Sequence, residues 1–462
     1  MKFPLLGKTL AVGGVLIALT LALQSVSGIV AEREGRLHEA ERSVADSLAS
    51  QQVVLGPVLL RRCDETWVSE QGEGKDRKRV TEKREFALAA TPATLDVSAK
   101  AVIETRHRGI FKVNGYAMKA TMKARWSDLA VLEPVAQHAG GRLHCEAPTM
   151  FVAVGDARGI RVATISVDGA ALPVLPGTEH ASHPRGFHAV IPAAVQSAGG
   201  VLHAEVALDL VGTGDLAFAP VGDTTTVALS SDWPHPSFAG RFLPNEREVT
   251  AQGFSARWQL TSLATSAPQE LLSGGGVCGL GVASEGKSRC IETFGVAFID
   301  PVSAYVLSDR ATKYGLLFIA LTFVGVGLVE VLKRLRVHPV QYLLVGSALA
   351  VFFLLLVSLT EHLLFAWAYL AASAACTTLL AFYASFVLRG ARAGAVFGAA
   401  IAALYGALYL LLQMEQSALV LGSLLLFAVL GAVMVATRRV DWYALMDQLR
   451  REASPPPVKP AQ

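Results

Sequence analysis

Six long apolar stretches, with one long polar segment between the first two, dominate the hydrophobic pattern of this 462-residue chain. Each approaches or exceeds the ~20 residues that an α-helix needs to cross about 30 Å of hydrocarbon. The pattern therefore predicts six membrane-spanning helices and a domain inserted between the first and the second. The predicted spans are Thr9 to Val30, 313–332, 339–360, 363–388, 393–412 and 417–437.

The positions of the basic residues predict the orientation of these helices. Every second connection is basic, and these connections contain Lys333, Arg334, Arg336, Arg389, Arg392, Arg438 and Arg439. The connections between them hold Glu361, His362 and Glu415, and no Lys or Arg. Because basic loops stay in the cytoplasm, we expect both termini to be cytoplasmic and residues 31–308 to lie on the other side of the membrane.

The first apolar stretch has two interpretations. Ser25-Val26-Ser27 resembles a signal-peptidase site, which makes a cleaved signal peptide the alternative. The stretch is long for a signal peptide, however, and no clear Ala-x-Ala sequence follows it, so we expect a retained transmembrane helix over 1–30. Apolar residues then recur at helical spacing from Leu37 to Leu48, which predicts a stalk helix over 31–52.

Residues 53–308 carry the pattern of a mainly-β domain. Short runs rich in Val, Ile, Phe and Thr alternate with Gly, Pro, Asn and Asp clusters, a pattern typical of a large antiparallel sheet or β-sandwich. Two segments, 69–85 with its dense charge and 273–286 with its many glycines, are predicted to be surface excursions. The predicted strands include Val53–Leu60, Phe86–Leu88, Thr94–Glu104, Tyr116–Trp126, Thr149–Val154, Val162–Val167, Val201–Leu210, Thr224–Leu229 and Gly253–Leu260.

The fold class is therefore an α+β membrane protein, in which helices 2–6 over 309–437 form a bundle with the first. A tail over 438–462 follows on the cytoplasmic side, and its three consecutive prolines predict disorder after about residue 451.

Composition and charge agree with a membrane protein. Hydrophobic residues make up 52% of the chain, and the mean hydropathy is +0.43. The net charge of +3 comes from the predicted cytoplasmic boundary, because residues 31–308 are mildly acidic. This basic surplus indicates contact with anionic lipid headgroups and gives no sign of nucleic-acid binding.

Cysteine usage indicates an oxidising compartment for the inserted domain. Cys63, Cys145, Cys278 and Cys290 all fall in this domain, whereas Cys376 lies alone in the fourth predicted span. Four cysteines allow three pairings. We expect Cys278 to pair with Cys290, closing the glycine-rich segment, and Cys63 to pair with Cys145. Free buried thiols are the alternative, and metal ligation is disfavoured because no Cys-x-x-Cys or Cys/His pair has ligand spacing.

The chain shows little sign of catalytic chemistry. Gly-x-Ser-x-Gly, His-Glu-x-x-His and Walker sequences do not occur. His180, His183 and His188 have close spacing, but their Ala, Ser, Pro and Gly neighbours favour a solvated loop over a zinc site. Gly155–Gly159 is interpreted as a turn with an Asp–Arg pair, and Gly212–Asp215 as a strand–turn. We therefore predict no catalytic, cofactor-binding or metal residues, and no cofactor.

Ionisable residues lie at the ends of the predicted spans and not near their middle. Asp309, Arg310 and Lys313 flank the outer start of the second span, and Glu361 and His362 lie at the next outer turn. These five residues form a candidate membrane-rim cluster in which Glu361 and His362 meet Arg310 or Lys313. Simple snorkelling of long side chains is the alternative interpretation. Because a buried charge is costly and often functional, the lack of a mid-span carboxylate argues against transport.

Several recognisable segments occur in order along the chain. They are Gly155–Ile160 (GDARGI), Gly212–Leu216 (GTGDL), Ser231–Pro244 (SDWPHPSFAGRFLP), Gly253–Trp258 (GFSARW), Asp309–Phe323 (DRATKYGLLFIALTF), His338–Gly346 (HPVQYLLVG), Glu361-His362 and Asp441-Trp442-Tyr443. The Trp-Pro-His-Pro and Asp-Arg-Ala-Thr-Lys-Tyr sequences are the most distinctive. Together the segments resemble the CreD family of inner-membrane proteins, from the first span to about Leu445. Residues 69–85 and 273–292 fall outside the resemblance.

The resemblance implies a multi-pass protein of the Gram-negative inner membrane, with a periplasmic inserted domain and a role in envelope integrity and the stress response. It implies no enzyme activity. We therefore expect a non-enzymatic envelope-integrity factor whose β domain binds an envelope component or a partner protein, in addition to the lipid bilayer.

A lipid or small-molecule transporter with a substrate-capturing outer domain is the alternative, and an unrecognised periplasmic hydrolase is a third. Mid-span polar residues or a broken helix would favour transport, and the sequence shows neither. The span glycines Gly325, Gly327, Gly398 and Gly406 are interpreted as sites of close helix packing.

Overall fold

The computed structural model describes residues 4–71, 78–192, 200–280, 290–298, 304–333, 337–414 and 418–438. It divides into a membrane unit, Met1–Leu37 with Val302–Gln462, and a β unit, His38–Pro301. The predicted tail after 438, the connection residues Arg334 and Arg336, and Glu415 lie outside the described residues.

The membrane unit contains long apolar helices. The predicted α+β architecture is confirmed, because the described part of the chain has six candidate membrane spans with a large β domain between the first and second. The helices are α1 (Pro4–Ser47), α3 (Ala304–Lys333), α4 (Pro339–Thr360), α5 (Phe365–Val387), α6 (Ala391–Gln413) and α7 (Ala418–Thr437).

Two element boundaries in the structure differ from the predicted ones. Helix α1 ends at Ser47 and not at residue 52, because the chain turns there and strand β1 begins at Gln52. Helix α3 begins at Ala304, so the β domain ends before residue 308 and the second helix starts before residue 309. The additional first turn holds Tyr305 and Ser308, polar residues that a search for apolar runs passes over.

Local signals fix the helix ends in the membrane unit. Helix α4 starts with Pro339, which supplies a helical φ and lacks an N–H that would otherwise need a partner. His338 accepts a hydrogen bond from the Val340 N–H, and the Gln341 side chain accepts one from the His338 N–H. This reciprocal capping satisfies backbone donors that the first helical turn leaves unpaired.

Glycine packing in the spans follows the prediction at only some positions. A Cβ at Gly398 would lie 2.6 Å from Ala381 Cβ, so α6 approaches α5 there too closely for any side chain. Positions Gly325 and Gly406 have nothing within 4 Å of a built Cβ. The close-packing interpretation is therefore wrong for those two glycines.

Two large sheets share the hydrophobic core of the β unit. The first has the order β14-β19-β12-β1-β6-β10-β9, with β2 and β5 also paired to β1; the second has the order β15-β16-β13-β3-β4-β11-β7-β8. The short helix α2 (Ala267–Leu272) follows the last long strand. The strands are β1 (Gln52–Gln71), β2 (Lys78–Ala90), β3 (Thr94–Arg108), β4 (Phe111–Trp126), β5 (Arg142–Cys145), β6 (Thr149–Ala153), β7 (Ile160–Val167), β8 (Ala170–Leu172), β9 (Leu175–Pro176), β10 (Gly186–Val190), β11 (Leu202–Thr213), β12 (Asp215–Phe218), β13 (Thr224–Ser231), β14 (Ser237–Gly240), β15 (Glu246–Thr250), β16 (Gly253–Thr261), β17 (Gly276–Val277), β18 (Cys290–Ile291) and β19 (Phe294–Ala297).

Alternating burial explains why these segments form strands. On β4, Met118, Ala120 and Met122 point into the core, whereas Lys119 and Lys123 are exposed. A period of two is the signature of a strand with one buried face. The predicted alternation from 117 to 126 is confirmed.

Two strand pairs within the large sheets are parallel. Strand β1 pairs with β12 in parallel, and β13 pairs with β3 in parallel. In both pairs the partners are far apart in sequence, so the chain has room for the crossover connection that parallel strands need.

The two predicted surface excursions contain strand. Residues 69–71 and 78–85 lie on the β1–β2 hairpin, where Gln71 pairs with Lys78. Gly276 and Val277 form β17, which pairs with Cys290 and Ile291. The dense charge of 69–85 therefore lies on the exposed side chains of a two-stranded ribbon. Residues 72–77 and 281–289 lie outside the described residues.

Candidate functional site

The most extensive buried polar network connects the end of α1 to both large sheets. We call it the polar junction, and define it as Ser50, Gln52, Asp156, Arg158 and Thr213. Gln52 is fully buried and Asp156 is 7% exposed. Buried polar groups must find hydrogen-bond partners inside the protein, and each member of the junction finds them in another member or in the adjoining backbone.

Asp156 is the charged centre of the junction. Its Oδ2 accepts hydrogen bonds from the Ser50 N–H at 3.0 Å and the Ser50 hydroxyl at 3.2 Å. Arg158 Nη2 donates to the same oxygen at 2.6 Å, and Arg158 Nε donates to Oδ1 at 3.0 Å. The Asp156 carboxylate therefore holds Ser50, which follows α1, through two hydrogen bonds.

The Arg158 guanidinium holds the pKa of Asp156 well below its usual range. Burial acts in the opposite direction, and the N–H groups of Ser50 and Arg158 lower the pKa further. Hydrogen bonds to the ionised form stabilise it. The junction therefore keeps its negative charge at neutral and mildly acidic pH.

Gln52 connects the two sheets. Its Nε2 donates to the Asp156 carbonyl at 3.0 Å and to the Val211 carbonyl at 2.9 Å, while its Oε1 accepts from the Asp156 N–H at 3.0 Å. Gln52 opens β1 in the first sheet, and Val211 lies on β11 in the second. One buried amide thus ties both layers to the connection that leaves the helix.

The remaining contacts attach the helix end to the second sheet. The Thr213 hydroxyl donates to the Ala49 carbonyl at 3.0 Å, and Arg158 Nη1 donates to the Asp46 carbonyl in the last turn of α1. A side chain at Gly159 would collide with the Val211 carbonyl and the Gln52 amide. Glycine is therefore required where this turn meets β11.

The sequence singled out the segments of the junction without linking them. Gly155–Gly159 and Gly212–Asp215 were interpreted as separate turns, and the predicted Asp156–Arg158 pair is present. The structure adds that both segments contact the same residues after α1. Ser50 and Gln52 were missed, since neither residue type nor spacing distinguishes them in the sequence.

Three of the five predicted membrane-rim residues lie in two ion pairs. Lys313 Nζ lies 2.5 Å from Asp309 Oδ2, one helical turn away. Glu361 Oε1 lies 3.0 Å from Arg33 Nε of α1, and His362 is exposed. The structure therefore joins Glu361 to the first helix. Arg33 was missed, although its position one turn after Val30 places it at the outer end of the first span.

The histidine run is not a solvated loop. His183 is 8% exposed and His188 is 5% exposed, and the rings of His180 and His183 stack with centroids 5.0 Å apart. Burial lowers the pKa of both His180 and His183, and the charge of His183 lowers the pKa of His180 further. Among the described residues, no cluster of His, Cys, Asp or Glu has the arrangement of a metal site.

Two disulfides lie in the β unit. Cys63 of β1 is bonded to Cys145 of β5, and the two residues face each other in the strand pairing. Cys278 is bonded to Cys290, beside the short β17–β18 pair. Cys376 is a free, buried thiol in α5.

These features define a class of protein: an integral membrane protein with six candidate spans and a disulfide-bonded β domain inserted after the first. The sequence matches the family described as inner membrane protein CreD over residues 4–443. It is also 34% identical over 445 residues to the inner membrane protein CreD of Escherichia coli (strain K12), covering 96% of this chain and 95% of that protein. The chain belongs to the CreD family of inner membrane proteins.

Proposed function

We propose that this protein is a non-enzymatic envelope-integrity factor. Its β domain lies in the periplasm, binds an envelope component or a partner protein, and passes its bound state to the membrane helices through the polar junction. Membership of an inner-membrane family supports the location, and the basic connections support an inside orientation of both termini.

The oxidised cysteines favour the same placement of the β domain. Disulfides persist in the periplasm and are rare in the cytoplasm. Both bonded pairs, Cys63–Cys145 and Cys278–Cys290, lie between the first and second candidate spans.

The polar junction is the observation that carries the proposal. A passive anchor needs only a flexible connection between a span and its outer domain. Here Asp156 binds Ser50 and Thr213 binds Ala49, two of the four residues between the end of α1 and β1. Such hydrogen bonds let a change in the β domain bias the helix that precedes it.

Complementation of a strain that lacks the gene tests the proposal. We would express full-length wild type and Arg158→Ala at matched abundance and measure entry of a dye that an intact envelope excludes. Arg158 contacts both Asp46 and Asp156, and its side chain is 54% exposed. Its removal should therefore loosen the connection without unfolding the domain, and we expect the dye to enter nearly as fast as in the deletion strain.

Arg161→Ala is the matched control for this experiment. Arg161 lies on β7, is similarly exposed at 43%, and pairs with Glu104 at 3.7 Å outside the junction. The Arg161→Ala variant should restore the barrier to dye entry fully. Full restoration by Arg158→Ala as well would show that the connection transmits nothing, and the proposal would then fail.

Lipid or small-molecule transport is the second candidate function, and a cleft among the membrane helices favours it. Helices α3, α4, α5 and α6 line an open cleft with a volume of about 40 Å³. Its walls include Val326, Val345, Leu380 and Phe397, with Gln341 as a polar group. An apolar cleft of this size suits part of an acyl chain.

Filling this cleft separates the two candidates. Val345→Phe adds volume at a residue that is 7% exposed, whereas Val351→Phe adds the same volume on the same helix at a residue that is 56% exposed. If the cleft carries a substrate, only Val345→Phe should abolish complementation. If both variants restore the dye barrier, the transport candidate is excluded.

A further inference from the structure

The β3–β4 hairpin extends beyond the strands on either side of it. The pairing of β4 with β11 ends at Gly115, and the pairing of β3 with β13 ends at Ala101. From Thr105 to Asn114 the described backbone pairing is between the two strands of the hairpin alone. We call residues 105–114 the hairpin tip.

The hairpin tip has an apolar contact with the outer part of α1. Val113 is buried in a small cluster with Ala40 and Val44, and Phe111 packs against it. A Cβ built on Gly115 would lie 3.3 Å from the Leu48 side chain. The ribbon therefore runs along the helix, so that earlier residues of β4 meet earlier residues of α1.

The lengths of the two elements agree with this direction. Four strand residues from Gly115 to Phe111 cover about 13 Å, and eight helical residues from Leu48 to Ala40 cover about 12 Å. Ile110 continues one residue further. Ala40, Val44 and Leu48 follow, along the chain, the apolar stretch of the first candidate span.

The chemistry of the hairpin tip matches an anionic surface. Arg108 and Lys112 are exposed, and neither has an ion-pair partner in the part of the chain that the structure describes. Residues that are paired across the hairpin share a face of the ribbon. Arg108 shares one face with Phe111, and Lys112 shares the other face with His107. Ile110, 51% exposed, stands at the turn between them.

Arg106 does not contribute to this free charge. Its Nη2 lies 2.8 Å from Glu104 Oε2. Within the hairpin tip, the unpaired basic charge is therefore that of Arg108 and Lys112.

We propose that the hairpin tip docks on the anionic phospholipid surface of the membrane that holds the protein, with Arg108 and Lys112 on the phosphates and Ile110 among the headgroups. Basic residues near an anionic bilayer are each attracted to it within about one Debye length. An exposed apolar residue flanked by basic ones is typical of a surface that meets lipid. The proposal goes beyond the proposed function, because it needs neither a partner nor signal transmission.

Site-specific fluorescence in bilayers tests the docking. We would label full-length Ile110→Cys with an environment-sensitive dye and reconstitute it in phosphatidylcholine, alone or with roughly one quarter phosphatidylglycerol. Quenching by headgroup-spin-labelled lipid then measures proximity to the surface. Ala170→Cys is the position control, since the β7–β8 turn lies at the opposite end of the same sheet.

We expect the dye at 110 to be quenched at least about twice as strongly as the dye at 170, with the difference growing when phosphatidylglycerol is present. In Arg108→Glu/Lys112→Glu the quenching at 110 should fall at least about twofold. Lys100→Glu/Lys119→Glu is the charge control, because these exposed residues face each other on the same two strands, away from the end. It should leave the quenching unchanged.

Two outcomes would overturn the proposal. Equal quenching at 110 and 170 would show that the hairpin tip is solvated. Quenching at 110 that ignores both phosphatidylglycerol and charge reversal would show that the tip is near the bilayer without recognising its charge. Because dye entry into cells is not involved, failure here leaves the complementation result untouched.

Discussion

At the scale of single residues, the polar junction depends on small groups at close contacts as much as on charge. Gly159 lies between Val211, Gln52 and Ala49. Its backbone conformation is one that any residue adopts, so the restriction is purely one of space. This separates it from the turn glycines, where a positive φ is the requirement.

Gly159→Ala should destabilise the β domain by about 2 kcal/mol, since an added methyl group in a packed site forces its neighbours to move. Thermal unfolding of the full-length protein in detergent, followed by the fluorescence of buried Trp126 and Trp258, measures the effect.

Gly35→Ala is the control for that substitution. Gly35 is in helix α1 with nothing within 4 Å of a built Cβ. Alanine is favoured over glycine in a helix by about 1 kcal/mol, so this variant should be neutral or stabilising. A loss of stability in Gly35→Ala equal to that in Gly159→Ala would contradict the steric argument.

The His180–His183 pair predicts acid sensitivity. Both folded-state pKa values lie below the ordinary value of 6.5, so the unfolded chain takes up protons more readily than the folded one. Stability should therefore be unaffected at higher pH and should fall as the pH drops below about 6.5. The midpoint of thermal unfolding, recorded between pH 8 and pH 5 at roughly half-unit steps, tests this.

Replacing the pair identifies the source of the pH dependence. His180→Gln/His183→Gln should flatten the decline between neutral and acidic pH, even if its stability is lower throughout. His144→Gln, at an exposed position of β5, should leave the slope as in wild type. An unchanged slope in the double variant would assign the acid sensitivity to other groups.

At the scale of secondary structure, the sequence predicted the elements well. Seven of the nine predicted strands fall within an observed strand, and the other two extend one residue beyond it, at Val154 and Val201. Alternation such as that in Met118 to Trp126 is visible in the sequence because it depends only on neighbours along the chain. The apolar spans were equally visible, since hydrocarbon thickness sets their length.

The pairing between distant strands could not be predicted from the sequence. Nothing in β1 specifies that Gln52 lies beside Leu216 in a parallel pair, because many hydrophobic strands fit the same neighbour. The polar junction was missed for the same reason. Gln52 and Asp156 are ordinary polar residues until the fold buries them side by side.

The two disulfides should contribute unequally to stability. Cys63–Cys145 closes a loop with a sequence separation of 82, and Cys278–Cys290 one of 12. On loop-closure entropy these are worth about 4 and about 3 kcal/mol respectively. Cys63→Ser/Cys145→Ser should therefore lower the unfolding midpoint more than Cys278→Ser/Cys290→Ser.

Peptide mapping without reduction checks the pairing itself. It should recover a peptide containing residue 63 bonded to one containing residue 145. A bond that joins Cys63 or Cys145 to Cys278 or Cys290 would contradict the structure.

At the scale of the whole molecule, orientation is the property on which the proposed function rests. A cysteine at exposed Ala170 in the β domain should react in intact cells with a maleimide that does not cross the inner membrane. A cysteine at exposed Ala391, the first residue of α6, should react only after the membrane is opened, because the basic residues Arg389 and Arg392 predict a cytoplasmic turn there. Labelling of both in intact cells would contradict the topology.

The parallel pairing of β1 with β12 also determines when the β domain can be completed. The first strand must wait for Leu216 to be synthesised, roughly ten to thirty seconds later at ~5–20 residues per second. Cys145 is synthesised well before that residue. If the domain is exported as proposed, its long-range disulfide can therefore form on the emerging chain and hold β1 and β5 together while the rest of the first sheet is still being made.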